Sequence, residues 1–295
     1  MTTERKKQGV GILQVFMAAV LWGTAGTFAK YLFNNQISPF DLAQVRLTLA
    51  FIFLVGFITL FDRRLLRIDL RDLPYFIIFG IVGLALNQFT YLFTISLTNV
   101  ATAIFLQYLG PALILIYGLL TKTEKPKKLK FIALAASVLG GYLIVLGTST
   151  GLGLSTLGLI SGLASAFVFA FYSVYGKYGL AKYSAWTLLV WGFGFGTLAW
   201  SLYQFPWVTI ANNQSALPEF LYIAVLATAV PFGLYFQGLK NLSAFKTGLI
   251  ATLEPVVGAF SAFLILGEIL NWIQLLGCAF VLIGVVLIQA KQVEN

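Results

Sequence analysis

Histidine is absent from this 295-residue sequence, and cysteine occurs once, as Cys278. The first absence removes imidazole as a zinc ligand and as the base of a serine–histidine dyad, so the common hydrolase sites lack their material. A lone cysteine forms no intrachain disulfide. Charge is scarce as well. Only 10% of residues are Asp, Glu, Lys or Arg, against about a quarter in soluble domains. A two-aspartate site fails because Asp62, Asp69 and Asp72 share one basic loop, while Asp41 stands near the end of an apolar run. No Gly-rich phosphate loop ending in Lys-Ser or Lys-Thr appears, so an ATP-driven pump would need a separate subunit. These absences predict a protein that is not an enzyme and that carries no metal and no cofactor.

What is present is apolar. Hydrophobic residues make up 59% of the chain and mean hydropathy is +0.91. A chain this short cannot bury so much apolar surface in a soluble core, so lipid must cover part of it. Crossing hydrocarbon takes ~20 mostly apolar residues. Runs of that kind occupy residues 11–33, 40–61, 74–96, 99–120 and 129–147, then 154–178, 184–205, 217–239, 244–266 and 272–290. The first run is too long for the ~7–15 residues of a signal-peptide core and reads as an uncleaved span.

Basic residues orient these ten spans. With the N-terminus inside, the cytoplasmic segments hold Arg5, Lys6 and Lys7, then Arg63, Arg64, Arg67 and Arg71. Lys122, Lys125, Lys127, Lys128 and Lys130 follow, then Lys177, Lys182, Lys240, Lys246 and Lys291. That is 17 of the 19 basic residues, and only Lys30 and Arg46 depart from the alternation. The bias predicts both termini in the cytoplasm. Topology thus accounts for the net charge of +9, and no nucleic-acid partner is inferred from it.

The two halves resemble each other. Gly11, Ala19, Lys30 and Tyr31 recur as Gly158, Ala166, Lys177 and Tyr178; Tyr91, Pro111, Glu124 and Gly140 recur as Tyr235, Pro255, Glu268 and Gly284. Five spans per copy is an odd number, which turns the second copy upside down. Inverted repeats are typical of secondary transporters, whose sites lie between repeats at interrupted helices. Pro111 and Pro255 fall mid-span and deprive the carbonyls of Gln107 and Ala251 of their helical donors. Either a plain packing kink or a site in a cavity satisfies such carbonyls.

Arg46 lies about 7–8 Å deeper along its helix than Asp41 and about 140° around it, an awkward geometry for a pair. Its alternatives are a cavity cation facing a substrate carboxylate, a residue reaching the outer interface, and a donor to helix carbonyls. Glu254, beside Pro255, is the only carboxylate near a span centre. It reads as a titrating coupling group, a partner for a substrate ammonium, or a neutral donor packing two helices. Glu268 reads as a cap or loop residue. Asn87, Gln88, Tyr91, Gln107, Tyr108, Tyr172, Tyr175, Tyr235 and Gln237 are mid-span polar or aromatic residues that must face a cavity or another helix. Gln88 with Tyr91, and Tyr172 with Tyr175, are spaced to share a face. Trp22 and Trp191 join them, whereas Trp207 and Trp272 suit interfacial belts. The candidate substrate-binding set is Trp22, Arg46, Asn87, Gln88, Tyr91, Gln107, Tyr172, Tyr175, Trp191, Tyr235 and Glu254, with Pro111 and Pro255 as helix kinks. The stripe Gly158, Gly162, Ala166 and Ala170, and the pair Gly192 and Gly196, permit close helix approach, within the fold or at a dimer face.

Leu21-Trp22-Gly23-Thr24, Pro39 through Arg46-Leu47 and Ala101 through Pro111 carry a family likeness. So do Leu253-Glu254-Pro255-Val256, and Leu266-Gly267-Glu268 followed by Gln274-Leu275-Leu276-Gly277 and Gly284. In order and spacing the chain resembles the EamA-type exporters of the drug/metabolite transporter superfamily. The resemblance implies ten helices, a central cavity, and efflux of amino acids, other metabolites or drugs. The expectation is an all-α integral membrane protein of ten transmembrane helices. It is arranged as two inverted five-helix repeats, residues 1–150 and 151–295, in the bacterial inner membrane. Its function would be secondary active export of a small molecule by alternating access. An uncoupled facilitator and a membrane receptor or structural protein are the alternatives. The expected partners are a small-molecule substrate, membrane lipid and protons as the candidate coupling ion, in a monomer or a homodimer.

Overall fold

The computed structural model describes residues 3–148, 151–266 and 270–289. Glu268 and Lys291 lie outside the described residues, as does the side chain of Lys30. Every regular element among the described residues is helical. Helices α1 (Thr3–Asn34) and α2 (Pro39–Phe61) come first, then a basic loop, α3 (Leu73–Ile78), a π-helical segment (Phe79–Ala85) and α4 (Leu86–Leu97). They are followed by α5 (Val100–Gln107), α6 (Gly110–Leu120) and α7 (Lys128–Leu146). The second half brings α8 (Thr156–Gly179), α9 (Ala185–Ser201), α10 (Pro206–Asn212) and α11 (Leu217–Ala224), a second π-helical segment (Val225–Ala229) and α12 (Val230–Asn241). The last three helices are α13 (Ala244–Ala251), α14 (Glu254–Leu266) and α15 (Trp272–Ile288).

Local chemistry sets these boundaries. Ser38 starts α2 by accepting from the Asp41 N–H, with Pro39 at the first position, where its missing N–H costs nothing. Asn99 caps α5, Ser155 caps α8, Ser184 caps α9, and Ser243 caps α13. Asn271 and Gln274 form a reciprocal capping box on α15.

Among the described residues, seven helical stretches are long and apolar enough to cross a membrane, and an eighth results if α9 and α10, bent by 76°, count as one span. The two remaining apolar runs are shorter: α13 and α14 are separate pieces, and α15 has 17 residues. Leu60, Phe167, Leu264 and Val286 stand more than half exposed on the outside of the bundle, the surface that lipid covers.

The halves repeat in register. Helices α4, α5, α6 and α7 begin at residues 86, 100, 110 and 128, and α12, α13, α14 and α15 begin at 230, 244, 254 and 272. Each counterpart lies 144 residues on, including the π-helical segments that end at Ala85 and Ala229 and the caps Asn99 and Ser243. Close packing depends on glycine where α7 crosses α15. A Cβ on Gly140 would stand 2.6 Å from the Gly277 carbonyl oxygen, and one on Gly277 would stand 2.7 Å from that of Gly140. Gly158 and Gly162 face Thr98 and Leu106 of the same chain, and Gly192 faces Phe79 and Leu84.

Candidate substrate cavity

Both proline sites are complete breaks. α5 stops at Gln107 and α6 restarts at Gly110; α13 stops at Ala251 and α14 restarts at Glu254. Each proline then occupies the second position of the new helix, where φ is already suitable and no N–H is needed. Placed this way, the break carries Tyr108 and Glu254 into the bundle interior rather than along a helix face.

A cavity of about 30 Å³ opens at this level, lined by Trp22, Ala25, Arg46, Asn87, Gln88, Tyr91, Gln107, Tyr108, Phe169, Tyr172, Phe232 and Glu254. It spans residues of both halves. Glu254 is 4% exposed, and each of its oxygens has a tyrosine. Tyr91 Oη donates to Oε1 at 3.2 Å and Tyr108 Oη to Oε2 at 2.7 Å. Two phenolic donors satisfy the oxygens of an ionised carboxylate, while a neutral acid brings a hydroxyl donor of its own to the same pair.

Arg46 is equally buried. Its Nε donates to Thr228 Oγ1 at 2.9 Å and its Nη2 to the Ala227 carbonyl at 3.0 Å. Both partners belong to the second π-helical segment, and Thr228 Oγ1 in turn donates to the Ile223 carbonyl at 2.7 Å. π-Helical geometry alters the i→i−4 pairing, and Arg46 takes a carbonyl there. Asp41 is engaged elsewhere, accepting from Thr209 Oγ1 at 3.2 Å and Gln204 Nε2 at 3.3 Å. Amides complete the wall. Gln107 Nε2 donates to Asn87 Oδ1 at 3.2 Å and to Ser165 Oγ at 2.9 Å. The Gln88 amide nitrogen is buried without a protein partner.

Eight of the residues chosen from sequence thus share one cavity: Trp22, Arg46, Asn87, Gln88, Tyr91, Gln107, Tyr172 and Glu254. Three stand outside it. Tyr235 packs behind the wall on Trp22 and Tyr172, its hydroxyl 2.7 Å from Ser173 Oγ. Tyr175 stacks on Tyr75 and Phe171. Trp191 donates through Nε1 to the Leu66 carbonyl at 3.0 Å. Gln237 accepts from Gln14 at 3.0 Å and does not line the cavity. Trp207 and Trp272 are exposed. Phe169, Phe232 and Thr228 escaped the sequence reading, because apolar rings and a threonine in an apolar span carry no distinguishing signal.

Apolar helices able to cross a membrane, gathered around a buried polar cavity, define a polytopic membrane protein. A family model described as EamA-like transporter family matches residues 9–146 and again 156–290, and the chain belongs to that family. An uncharacterised inner membrane transporter of Salmonella typhimurium, YicL, is 32% identical over 94% of both chains. The threonine/homoserine exporter RhtA of Escherichia coli K12 is 27% identical over 90% of this chain and 85% of its own. A solved crystal structure shares the fold with a TM-score of 0.75 at 17% identity, over 97% of this chain and 99% of that one.

Proposed function

We propose that this chain is a secondary exporter of a small zwitterionic metabolite, an amino acid or a close relative, working by alternating access. One observation carries the reading: a guanidinium and a carboxylate, Arg46 and Glu254, line the same buried cavity at the level of the two helix breaks. A substrate bearing both a carboxylate and an ammonium complements that pair, and RhtA, similar over most of the chain, exports such compounds by its name. At about 30 Å³ the cavity admits only a water or two, each needing ~10–15 Å³. Substrate therefore requires a wider state, and the joints that would widen it adjoin the cavity: two helix breaks and two π-helical segments. In this reading the architecture is ten spans in two inverted repeats, both termini are cytoplasmic, and Glu254 alternates between a proton and a substrate ammonium.

The test is efflux from preloaded cells or vesicles over a substrate panel headed by threonine and homoserine, with and without a proton gradient. Export of a zwitterion that accelerates with the gradient is the expected result. Flux indifferent to the gradient would indicate an uncoupled facilitator, and absence of flux for every amino acid would remove the substrate class.

A further inference from the structure

The amide of Gln88 stands apart from the other polar groups of the central cavity. Gln88 is 2% exposed and lines that cavity, and its Nε2 has no acceptor among the described residues. The neighbouring amides are committed to one another, since Gln107 Nε2 spans Asn87 Oδ1 and Ser165 Oγ. A donor taken out of water and left unpaired costs its full desolvation, so native interiors retain few of them.

Packing gives no reason for an amide there. The 144-residue repeat sets Phe232 at the place of Gln88, and Phe232 lines the same cavity. One repeat position thus carries a phenyl ring in one half and an amide in the other, so the repeated scaffold does not itself demand an amide. Location then says what the amide accompanies. Gln88 and Tyr91 share a face of α4, about 4.5 Å apart along its axis. Tyr91 donates to Glu254, so Gln88 stands roughly one helical turn from a donor to the carboxylate assigned above to a substrate ammonium. The aromatic lining of Trp22, Phe169 and Phe232 offers the amide no oxygen acceptor.

We propose that Gln88 determines substrate specificity by donating its free N–H to a neutral oxygen on the side chain of the transported zwitterion, a hydroxyl or an amide carbonyl. The inference rests on the cavity being a zwitterion site, as proposed above. Arg46 and Glu254 meet the two charges common to all amino acids, and Gln88 reads what differs between them. An apolar side chain of the same shape leaves the amide unpaired, and a site that hydrogen-bonds a substrate oxygen discriminates against the analogue lacking it. One neutral hydrogen bond corresponds to about three- to tenfold.

The experiment measures initial efflux from preloaded proteoliposomes of the full chain for two pairs of similar shape, threonine against valine and asparagine against leucine, at equal subsaturating concentrations. Wild type is compared with Gln88→Met, which keeps an unbranched side chain and removes the amide, and with Gln237→Met, which removes an amide outside the cavity. Elution and melting in detergent check the fold, and Gln88→Leu serves where Gln88→Met does not fold. We expect wild type to favour the oxygen-bearing member of each pair by about three- to tenfold. Gln88→Met should bring both ratios near unity while valine still moves, and Gln237→Met should keep the wild-type ratios. Unchanged ratios in Gln88→Met overturn the inference, and so does a uniform fall in all rates, which marks a structural residue. Loss of the ratios in both variants overturns it as well. A wild type that exports amino acids without regard to the side-chain oxygen overturns this inference alone. A wild type that moves no amino acid defeats the zwitterion reading itself, and the inference with it.

Discussion

Tyr108 Oη lies 2.7 Å from Glu254 Oε2 although 146 residues separate them in the chain. Tyr91, from a third helix, reaches the other oxygen of the same carboxylate. Three elements from both halves therefore converge on one group, and movement between the halves cannot leave its hydrogen bonds intact.

Replacing Glu254 with Gln keeps size and removes titration, and the tyrosine facing the new amide nitrogen must accept where it donated before. Substrate exchange between the two sides should persist in Glu254→Gln at raised substrate concentration, because the ammonium has lost its partner, whereas export should lose its dependence on the pH gradient. The measurement is initial efflux rate against imposed gradient in matched vesicles. A folded variant with wild-type pH dependence would make Glu254 a structural residue.

Arg46→Lys keeps the charge but not the planar fork that reaches Thr228 and Ala227 together. Losing one charge-assisted hydrogen bond in a buried site amounts to about 1.5–3 kcal/mol. Export at equal expression should fall by roughly tenfold or more. Thr228→Ala, which removes the acceptor instead, should reproduce part of the loss.

Gly140→Ala tests the crossing of α7 with α15. Its new methyl would meet backbone on both sides, the Gly277 carbonyl and the Val281 N–H, each at 2.6 Å. Overpacking of this kind costs about 1–3 kcal/mol, read as a lower unfolding midpoint in detergent. Gly9→Ala, with nothing within 4 Å, should leave the midpoint unchanged.

On the basic face, Lys182 Nζ bridges Asp72 at 2.6 Å and Asp69 at 3.4 Å, tying the α2–α3 loop to the α8–α9 turn. The Asp72 carboxylate holds the Lys182 ammonium above the usual lysine range. A raised lysine pKa and a lowered Asp72 pKa mean that the tie is fully present between the usual carboxylate range and about pH 10.4, lost upward through the raised lysine value and downward through the lowered carboxylate value. Hydrogen exchange of the 63–72 segment, corrected for intrinsic rates, should therefore be flat from pH 6 to 9. Lys182→Gln should speed it throughout that range.

Reporter fusions at Asn212 and at Asn295 should report opposite sides of the membrane. The same side for both would contradict the ten-span arrangement.

Element boundaries were legible because apolar runs, proline and Ser or Asn caps are local signals. The runs 40–61 and 129–147 differ by only a residue or so from α2 and α7. The proline at 111 announced an interruption, but its form, two turn residues and a fresh helix, depends on what the neighbours allow. Polar residues in apolar spans, such as Gln107 and Asn87, advertised burial because lipid cannot satisfy an amide. Which neighbour satisfied them was not legible. Tyr172 and Tyr175 show the limit: three-residue spacing put them on one shared face, yet one lines the cavity and the other stacks on Tyr75. The π-helical segment that receives Arg46 went unread, although Pro231, four residues after Ala227, lacks the N–H that would pair that carbonyl in an ordinary helix.

Gly110 holds the place in the first half that Glu254 holds in the second, each the opening residue of its helix. A Cβ there would stand 2.7 Å from the Phe169 ring and 2.9 Å from the Ala166 carbonyl, so no second carboxylate fits. The scaffold is duplicated and its charge is not. In the proposed cycle, swinging the second half carries the carboxylate away from two tyrosines that stay with the first, so the charge and its hydrogen-bond donors part company at each turn. Without a gradient, inward and outward fluxes still balance, as thermodynamics requires. Under the proposed alternating access, nothing in this unequal pair requires the two empty orientations to be equally populated, or exchange and net release to run at one speed.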